Sequence, residues 1–360
     1  MGHESVMGYN QGRVDESDQG AMLIDMLRCI EIAKYAGGII FTWQDEWFKR
    51  TWNNVMFDIA DRRPYWSNIQ TTEQCFGMLA FDPGKNSMAS YVDGNVSEWR
   101  NETPVAVTGQ GSLYVKSDER YLYIMLDAKD YDFEKDTLLI PINTISDQGN
   151  TTAAGMNADF NTQADFLISI GGKDNSHIYV DRYYDAFNYY YLYSKKLSDI
   201  PSEENAEIKN SGNFDIMRMC YGYNLTVKGT GQVVTDKAYE TGKLRYGNGN
   251  PNSKDYRSLS DFYYADGKLE IRIPWQLLNI MDPSGKQQIS DFWNTQVISP
   301  QSYEGFDIGF AYRSGLSEKL SISLDGKYNY TTWNTPTWHE RLKPAYYELQ
   351  EYFKKFTEEK

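Results

Sequence analysis

Residues 43–47 read Trp-Gln-Asp-Glu-Trp and lie within GGIIFTWQDEWFKRTWN, Gly37 to Asn53, a stretch that begins as an unbroken apolar run. Two carboxylates framed by tryptophans suit carbohydrate chemistry: acids to protonate or attack a glycosidic bond, and indole faces to stack on a pyranose. The spacing limits that reading. Glycoside hydrolysis uses carboxylates from different strand ends, about 5–5.5 Å apart for retention and about 6.5–9.5 Å for inversion. Asp45 and Glu46 are adjacent, and neighbours on a strand point to opposite sides. At most one, Glu46, can line a sugar site, with Asp45 beside it and Trp43 and Trp47 as a stacking floor. The competing role is packing, in which Trp43, Trp47 and Trp52 fill a junction while the acids pair with Lys49, Arg50, Arg62 or Arg63. For the chain by itself, packing is favoured.

A second concentration of rings is HIYVDRYYDAFNYYYLY, His177 to Tyr193, where seven tyrosines are interleaved with Asp181, Arg182, Asp185 and Asn188. Tyr183 and Tyr184 are its candidate sugar contacts, and Trp99 is a third; tyrosine equally suits a strand for packing alone. Oxygen ligands at the short spacing of calcium loops occur at Asp93, Asn95 and Glu98 and at Asp127, Asp130 and Asp132, although neither group matches the twelve-residue loop. Beyond that calcium option no cofactor is expected. His3, His177 and His339 are dispersed, and Cys29, Cys75 and Cys220 are too far apart for a zinc site or a disulfide framework. Cys29 reads as a buried thiol. There is no P-loop, no G-x-S-x-G elbow, no H-E-x-x-H and no G-x-G-x-x-G after a strand.

The elements that must position these side chains change character along the chain. From Asp15 to Lys34, Leu23, Met26, Leu27, Ile30 and Ala33 recur at helical spacing, with Asp15 or Ser17 as cap. Gly38–Thr42 reads as a strand buried on both faces, as in a parallel α/β sheet. After Pro64, short runs bounded by Gly, Asp, Asn and Pro predict strands at Gly77–Phe81, Ser112–Val115, Tyr121–Leu126, Thr137–Asn143, Asp165–Ile170, His177–Asp181, Lys268–Ile273 and Gly305–Tyr312. Many short strands separated by turns define an antiparallel β-sandwich. Ser198–Asn213 and Thr241–Ser258 read as long loops, and Pro344–Phe356 as a last helix. With 50 Asp+Glu against 36 Lys+Arg in 360 residues, the net charge is −14. That charge repels phosphate backbones and anionic surfaces, which excludes nucleic acid and leaves neutral ligands. No apolar run approaches the roughly 20 residues of a membrane span.

Three motifs, NQG (Asn10–Gly12), GGIIFTWQDEWFKRTWN and DRRPYWSN (Asp61–Asn68), resemble the end of a TIM barrel of the glycoside hydrolase family 2 type. YVDGNVSEW (Tyr91–Trp99), SDERYLYIMLDA (Ser117–Ala128) and LEIRIPWQLLNIMDPS (Leu269–Ser284) are similar to family 9 carbohydrate-binding modules. Bacterial proteins with such a tail are labelled as glycoside hydrolases or as family 2 glycosyl transferases. The resemblance implies a mainly β chain: a (β/α) barrel-end remnant over residues 1–70, an antiparallel β-sandwich over 71–343 and a C-terminal helix over 344–360. A whole barrel needs roughly 250 residues, so the strand bearing a catalytic glutamate is expected upstream of Met1. The expected function is a non-catalytic carbohydrate-recognition or scaffold region of a larger carbohydrate-active protein. Its expected partners are a neutral carbohydrate and the remainder of the parent barrel, outside the cell or at its surface. The alternatives are an enzyme portion with Glu46 lining the active site of the intact parent, and a structural appendage without a ligand.

Overall fold

Period-two alternation builds two antiparallel sheets packed face to face, in a computed structural model that describes residues 14–85, 90–196, 205–222, 224–235, 237–315 and 317–358. His3, the NQG motif and the start of the acidic stretch at Ser198 lie outside the described residues. One sheet sets Phe262–Ala265 (β15), Lys268–Pro274 (β16), Tyr121–Ala128 (β4), Gly111–Ser117 (β3) and Ala106–Thr108 (β2) side by side. The other runs Phe214–Ile216 (β10), Ser176–Asp181 (β9), Phe166–Ile170 (β8), Asp136–Asn143 (β5), Phe306–Ile308 (β20) and Gly326–Tyr328 (β23), with Ala311–Ser314 (β21) also on β5. Leu122, Ile124 and Leu126 of β4 share one core with Ile140 of β5 and Phe166 and Ile168 of β8. This is the expected sandwich, and each of the eight predicted runs overlaps a strand; Gly305–Tyr312 divides into β20 and β21.

The outer faces are covered too. On β4, Tyr121, Tyr123 and Met125 pack with Trp99. On the far side of the other sheet, Leu139 and Leu167 pack with Phe160 and Ile322. They lie under a small sheet of Asn150–Ala153 (β6), Ala158–Ala164 (β7) and Leu320–Ile322 (β22), whose β7–β22 pair is parallel. Ile280–Asp282 (β17), Gln287–Ile289 (β18) and Pro300–Ser302 (β19) form a further antiparallel sheet, and the single turn Phe292–Thr295 (α2) lies between its last two strands. Arg218–Gly222 (β11) pairs with Lys237–Glu240 (β14), and Leu225–Thr226 (β12) with Val233–Val234 (β13).

The first and last parts of the chain fold together. Helix α1 (Glu16–Ile32) starts where expected, with the Asp15 carboxylate accepting from the Ser17 amide at 3.2 Å. It packs on Pro344–Glu358 (α3) through Gly20, where a Cβ would lie 2.9 Å from Ala345 Cα. Beside the helices, Leu79–Pro83 (β1) pairs with Trp338–Leu342 (β24). Helix α1, from the first 70 residues, thus packs on α3, from the segment after residue 343, through Leu23, Ile24 and Leu27 against Ala345 and Leu349.

A barrel-end remnant is not seen as such. Residues 38–42 form no strand: no neighbouring strand among the described residues completes a ladder, and Thr42 instead bonds Phe76 and Met78 through its backbone. Ile39 is 100% exposed, and Phe41 and Trp43 are more than half exposed. Met22, Met26, Ile32, Tyr35, Phe48 and Trp52 of this unit are also exposed. No helix among the described residues is long and apolar enough to cross a membrane.

Charges hold this unit together and fasten it to the turn between β3 and β4. Arg341 reaches Asp82 at 2.7 Å and Glu16 at 2.9 Å, while Arg120 donates to the carbonyl of Phe81 and the hydroxyl of Ser67, both at 2.9 Å. Burial works against the Glu16 and Asp82 carboxylates, but Arg341 outweighs it and holds both below the usual range. Lys343, wholly buried, donates to Asp45 at 2.7 Å and to the Cys75 carbonyl at 3.1 Å. Removing one partner of such a pair strands a buried charge, which costs about 3–5 kcal/mol. Lys343→Ala is therefore expected to lower unfolding free energy in urea by an amount of that order. The double variant Lys343→Met/Asp45→Asn is expected to recover most of it.

Candidate binding groove

The structure separates the residues that the sequence grouped. Asp45 is buried, accepting from the Gly77 amide at 2.9 Å as well as from Lys343. Trp47 is buried and its indole N–H donates to the Phe81 carbonyl at 3.0 Å. Glu46 pairs with Lys49 at 3.1 Å, and Lys49 also meets Glu73 at 3.3 Å. The arginines considered as partners go elsewhere: Arg50 and Arg63 to Asp58, Arg62 to Asp282. Trp43 stands exposed, edge-on to Tyr346. Asp45 and Trp47 thus pack the junction, and Glu46 and Trp43 remain at its surface.

Tyr183, Tyr184 and Trp99 offer no open ring to a sugar. After β9 the tyrosine segment leaves the sheet in tight turns and a π-helical stretch over Asn188–Ser194, which folds its rings inward. Tyr183 is 3% exposed and its hydroxyl donates to Asp291 at 2.7 Å; Tyr184 is fully buried between Phe166 and Phe292, donating to the Ile289 carbonyl. Trp99 is buried, with the Lys116 ammonium 4.0 Å from its ring centroid. Cys29, expected inside, is exposed, because the helix face that bears it has nothing packed on it among the described residues. Four of the acids considered for calcium already have partners: Asp93 with Asn250, Glu98 with the Tyr91 amide, Asp127 with Lys268 and Asp132 with Lys135. Among the described residues, no three or more His, Cys, Asp or Glu side chains are grouped to hold a metal ion.

Three concavities bear on binding. The charged junction encloses about 50 Å³ between Arg120, Arg272, Arg341, Glu16 and Asp118, room for water but not for a sugar ring. A shallow depression of about 500 Å³ is lined by Tyr246, Tyr264 and Phe133, but its rings are engaged. Lys173 covers Tyr246 at 4.9 Å, and Tyr264 stacks on Phe133 at 4.8 Å.

The third is a groove of about 410 Å³ at one end of the sandwich, within the range of small-ligand sites. One wall is the chain leaving β5, Asn143 to Ser146; the floor includes Gln288 of β18; the other wall is the β19–β20 connection and the end of β23. Gly305 lets that connection lie against β23, since a Cβ there would fall 2.2 Å from the Tyr328 carbonyl oxygen. Phe306 and Tyr328 stack beneath, 6.2 Å apart at 6°, making a rigid base. The rim carries three charged side chains, Glu304, Asp307 and Lys327. Lys327 pairs with Asp307 at 2.6 Å, and Lys286 donates to the Glu304 carbonyl at 3.0 Å. What the groove offers is amides and hydroxyls: Asn143, Ser146, Gln288, Gln301 and Ser302. Gln288 is 1% exposed, yet its carbonyl oxygen has no hydrogen-bond partner among the described residues. No motif marks these residues in the sequence; the only signal is a polar run, SPQSYEG, between strands.

Comparison of the chain with protein-family models, curated proteins and solved structures finds no match.

The Trp99 contact carries its own pH dependence. The Glu270 carboxyl accepts from Trp99 at 2.9 Å and from the amides of Gly94 and Asp93 at 2.8 and 3.2 Å. Burial outweighs these donors and pushes its pKa up to about 7. A raised carboxyl stabilises the fold fully below its unfolded value, about 4.3, and that contribution is lost as pH rises through about 7. Glu270→Gln is expected to flatten this part of the decline, measured as urea midpoints across that range.

Proposed function

We propose that this chain is a non-catalytic carbohydrate-recognition sandwich of a larger carbohydrate-active protein, and that it takes a neutral glycan in the groove between the β5 exit and the β19–β20 connection. The observation that carries the reading is the buried, unpartnered carbonyl of Gln288 in a groove lined largely by amides and hydroxyls. A buried acceptor without a partner is costly, and a sugar hydroxyl satisfies it. The net charge of −14 favours a neutral ligand over a polyanion. The exposed apolar side chains of α1 and of residues 35–52 support attachment to further protein, the remainder of a barrel in this reading, because exposed apolar surface of this kind marks interaction sites. In that assembly Trp43 and Glu46 lie on the joining face, which is the observation favouring the second reading, Glu46 as a lining residue of the parent's active site.

The test is a glycan array followed by calorimetry on the hits. Gln301→Ala and Ser302→Ala are each expected to weaken binding roughly 2- to 12-fold, the worth of one hydrogen bond. Binding is expected to change little with salt, since no counterions are released. Silence across the array, or affinity that collapses with salt, overturns the proposal. The chain alone is expected not to hydrolyse aryl glycosides, since Asp45 is sealed against Lys343 and leaves Glu46 without an opposed carboxylate. Turnover abolished by Glu46→Gln would refute that.

A further inference from the structure

Beside the groove, the same end of the seven-stranded sheet holds a polar cluster that the sugar reading does not use. Asp165 precedes β8 and Asp181 ends β9, and the two are cross-strand neighbours, with the Asp181 amide donating to the Asp165 carbonyl at 2.7 Å. Both are fully buried. One oxygen of each carboxylate is saturated. Asp165 Oδ2 accepts from the Thr144 amide at 2.7 Å, the Thr144 hydroxyl at 3.1 Å and the Ile145 amide at 3.0 Å. Asp181 Oδ1 accepts from Asn150 at 2.8 Å and from the Tyr183 amide at 3.2 Å. The other oxygens, Asp165 Oδ1 and Asp181 Oδ2, have no close partner among the described residues, and neither does the carbonyl oxygen of Gln148, a side chain 1% exposed whose amide N–H faces the Asp165 carboxyl.

No cation offsets this pair of acids among the described residues. The nearest arginine in sequence, Arg182, is turned to Asp215 at 2.9 Å. Two carboxylates side by side without a counter-charge are among the least tolerable arrangements in a protein interior. Three orphaned oxygens, two from carboxylates and one from an amide, are the donor set of a hard cation, and they lack the nitrogen or sulfur that zinc would select. We propose that Asp165, Asp181 and Gln148 form a buried site for a divalent cation of the calcium class, at residues distinct from the acidic loops that the sequence singled out. Backbone carbonyls or water would complete its coordination. The inference stands apart from the sugar reading but bears on it: Thr144 and Ile145, which hold Asp165, also line the groove, so the ion would stiffen one of its walls.

The experiment uses the full chain, freed of metal with a chelator, with melting temperature followed against added calcium or magnesium chloride. Calcium is expected to raise Tm by several degrees in a concentration-dependent way, with magnesium clearly weaker, because a ligand that binds only the folded state stabilises it. Terbium, added as a luminescent calcium substitute, is expected to bind at one ion per chain and to be displaced by calcium. Asp181→Asn is expected to abolish the response. Gln148→Leu, which keeps the side chain's bulk, is expected to weaken calcium binding on the order of tenfold and decides the matter if the aspartate variant does not fold. The proposal is overturned by a metal-free Tm indifferent to calcium, by an equal response to magnesium, or by an unchanged calcium response in the Gln148 variant. Loss of glycan binding with calcium binding intact would count against the sugar reading alone.

Discussion

The ion pair between Lys343 and Asp45 joins residues 298 positions apart, both buried away from solvent. Neither group can be buried alone, so the segment carrying Asp45 and the segment carrying Lys343 are obliged to meet. Much else is placed by that meeting. Once residues 43–47 are held against the turn before α3, β1 finds β24, α1 finds α3, and Arg341 bridges Glu16 and Asp82. Burial also works against the Lys343 ammonium, but Asp45 and Glu16 hold it charged, with its pKa above the usual value.

The junction and the sandwich are held by different physics. Between the sheets the contacts are aliphatic and aromatic, contiguous and non-directional. Within the terminal unit, and where it meets the turn between β3 and β4, the contacts are guanidinium to carboxylate and carbonyl, directional and few. Directional contacts fix an orientation, whereas apolar burial supplies the bulk of the stability. The side of α1 that faces away leaves Met22, Met26 and Ile32 exposed.

The sandwich was legible because alternation survives in the sequence: Leu122, Ile124 and Leu126 on one side of β4 and Leu269, Ile271 and Ile273 on one side of β16 mark the core directly. The edges were less so. β6, β7 and β22 are short and rich in small and polar residues, and β22 reaches β7 across a long interval, so no local pattern marks them. Gly38–Thr42 misled because an apolar run records what a segment can bury, not what is present to bury it. The tyrosines at 183 and 184 misled differently: aromatic composition does not say which way a ring faces, and here turns after β9 aim both at the interior. The groove was invisible because its wall residues come from stretches far apart in the chain, and amides and hydroxyls in loops look alike whether or not they converge.

The pairing of β1 with β24 has a consequence for how the chain is made. Its closing contacts have very high sequence separation, which slows folding since long loops must be shut before the contacts reward it. During synthesis α1, residues 35–52 and β1 emerge before the sandwich, while their partners β24 and α3 follow it. For most of translation the terminal unit is therefore half a structure, with an unpaired strand edge and an uncovered helix. Its closure waits on the synthesis of β24 and α3, whereas the sheets between can assemble as they emerge.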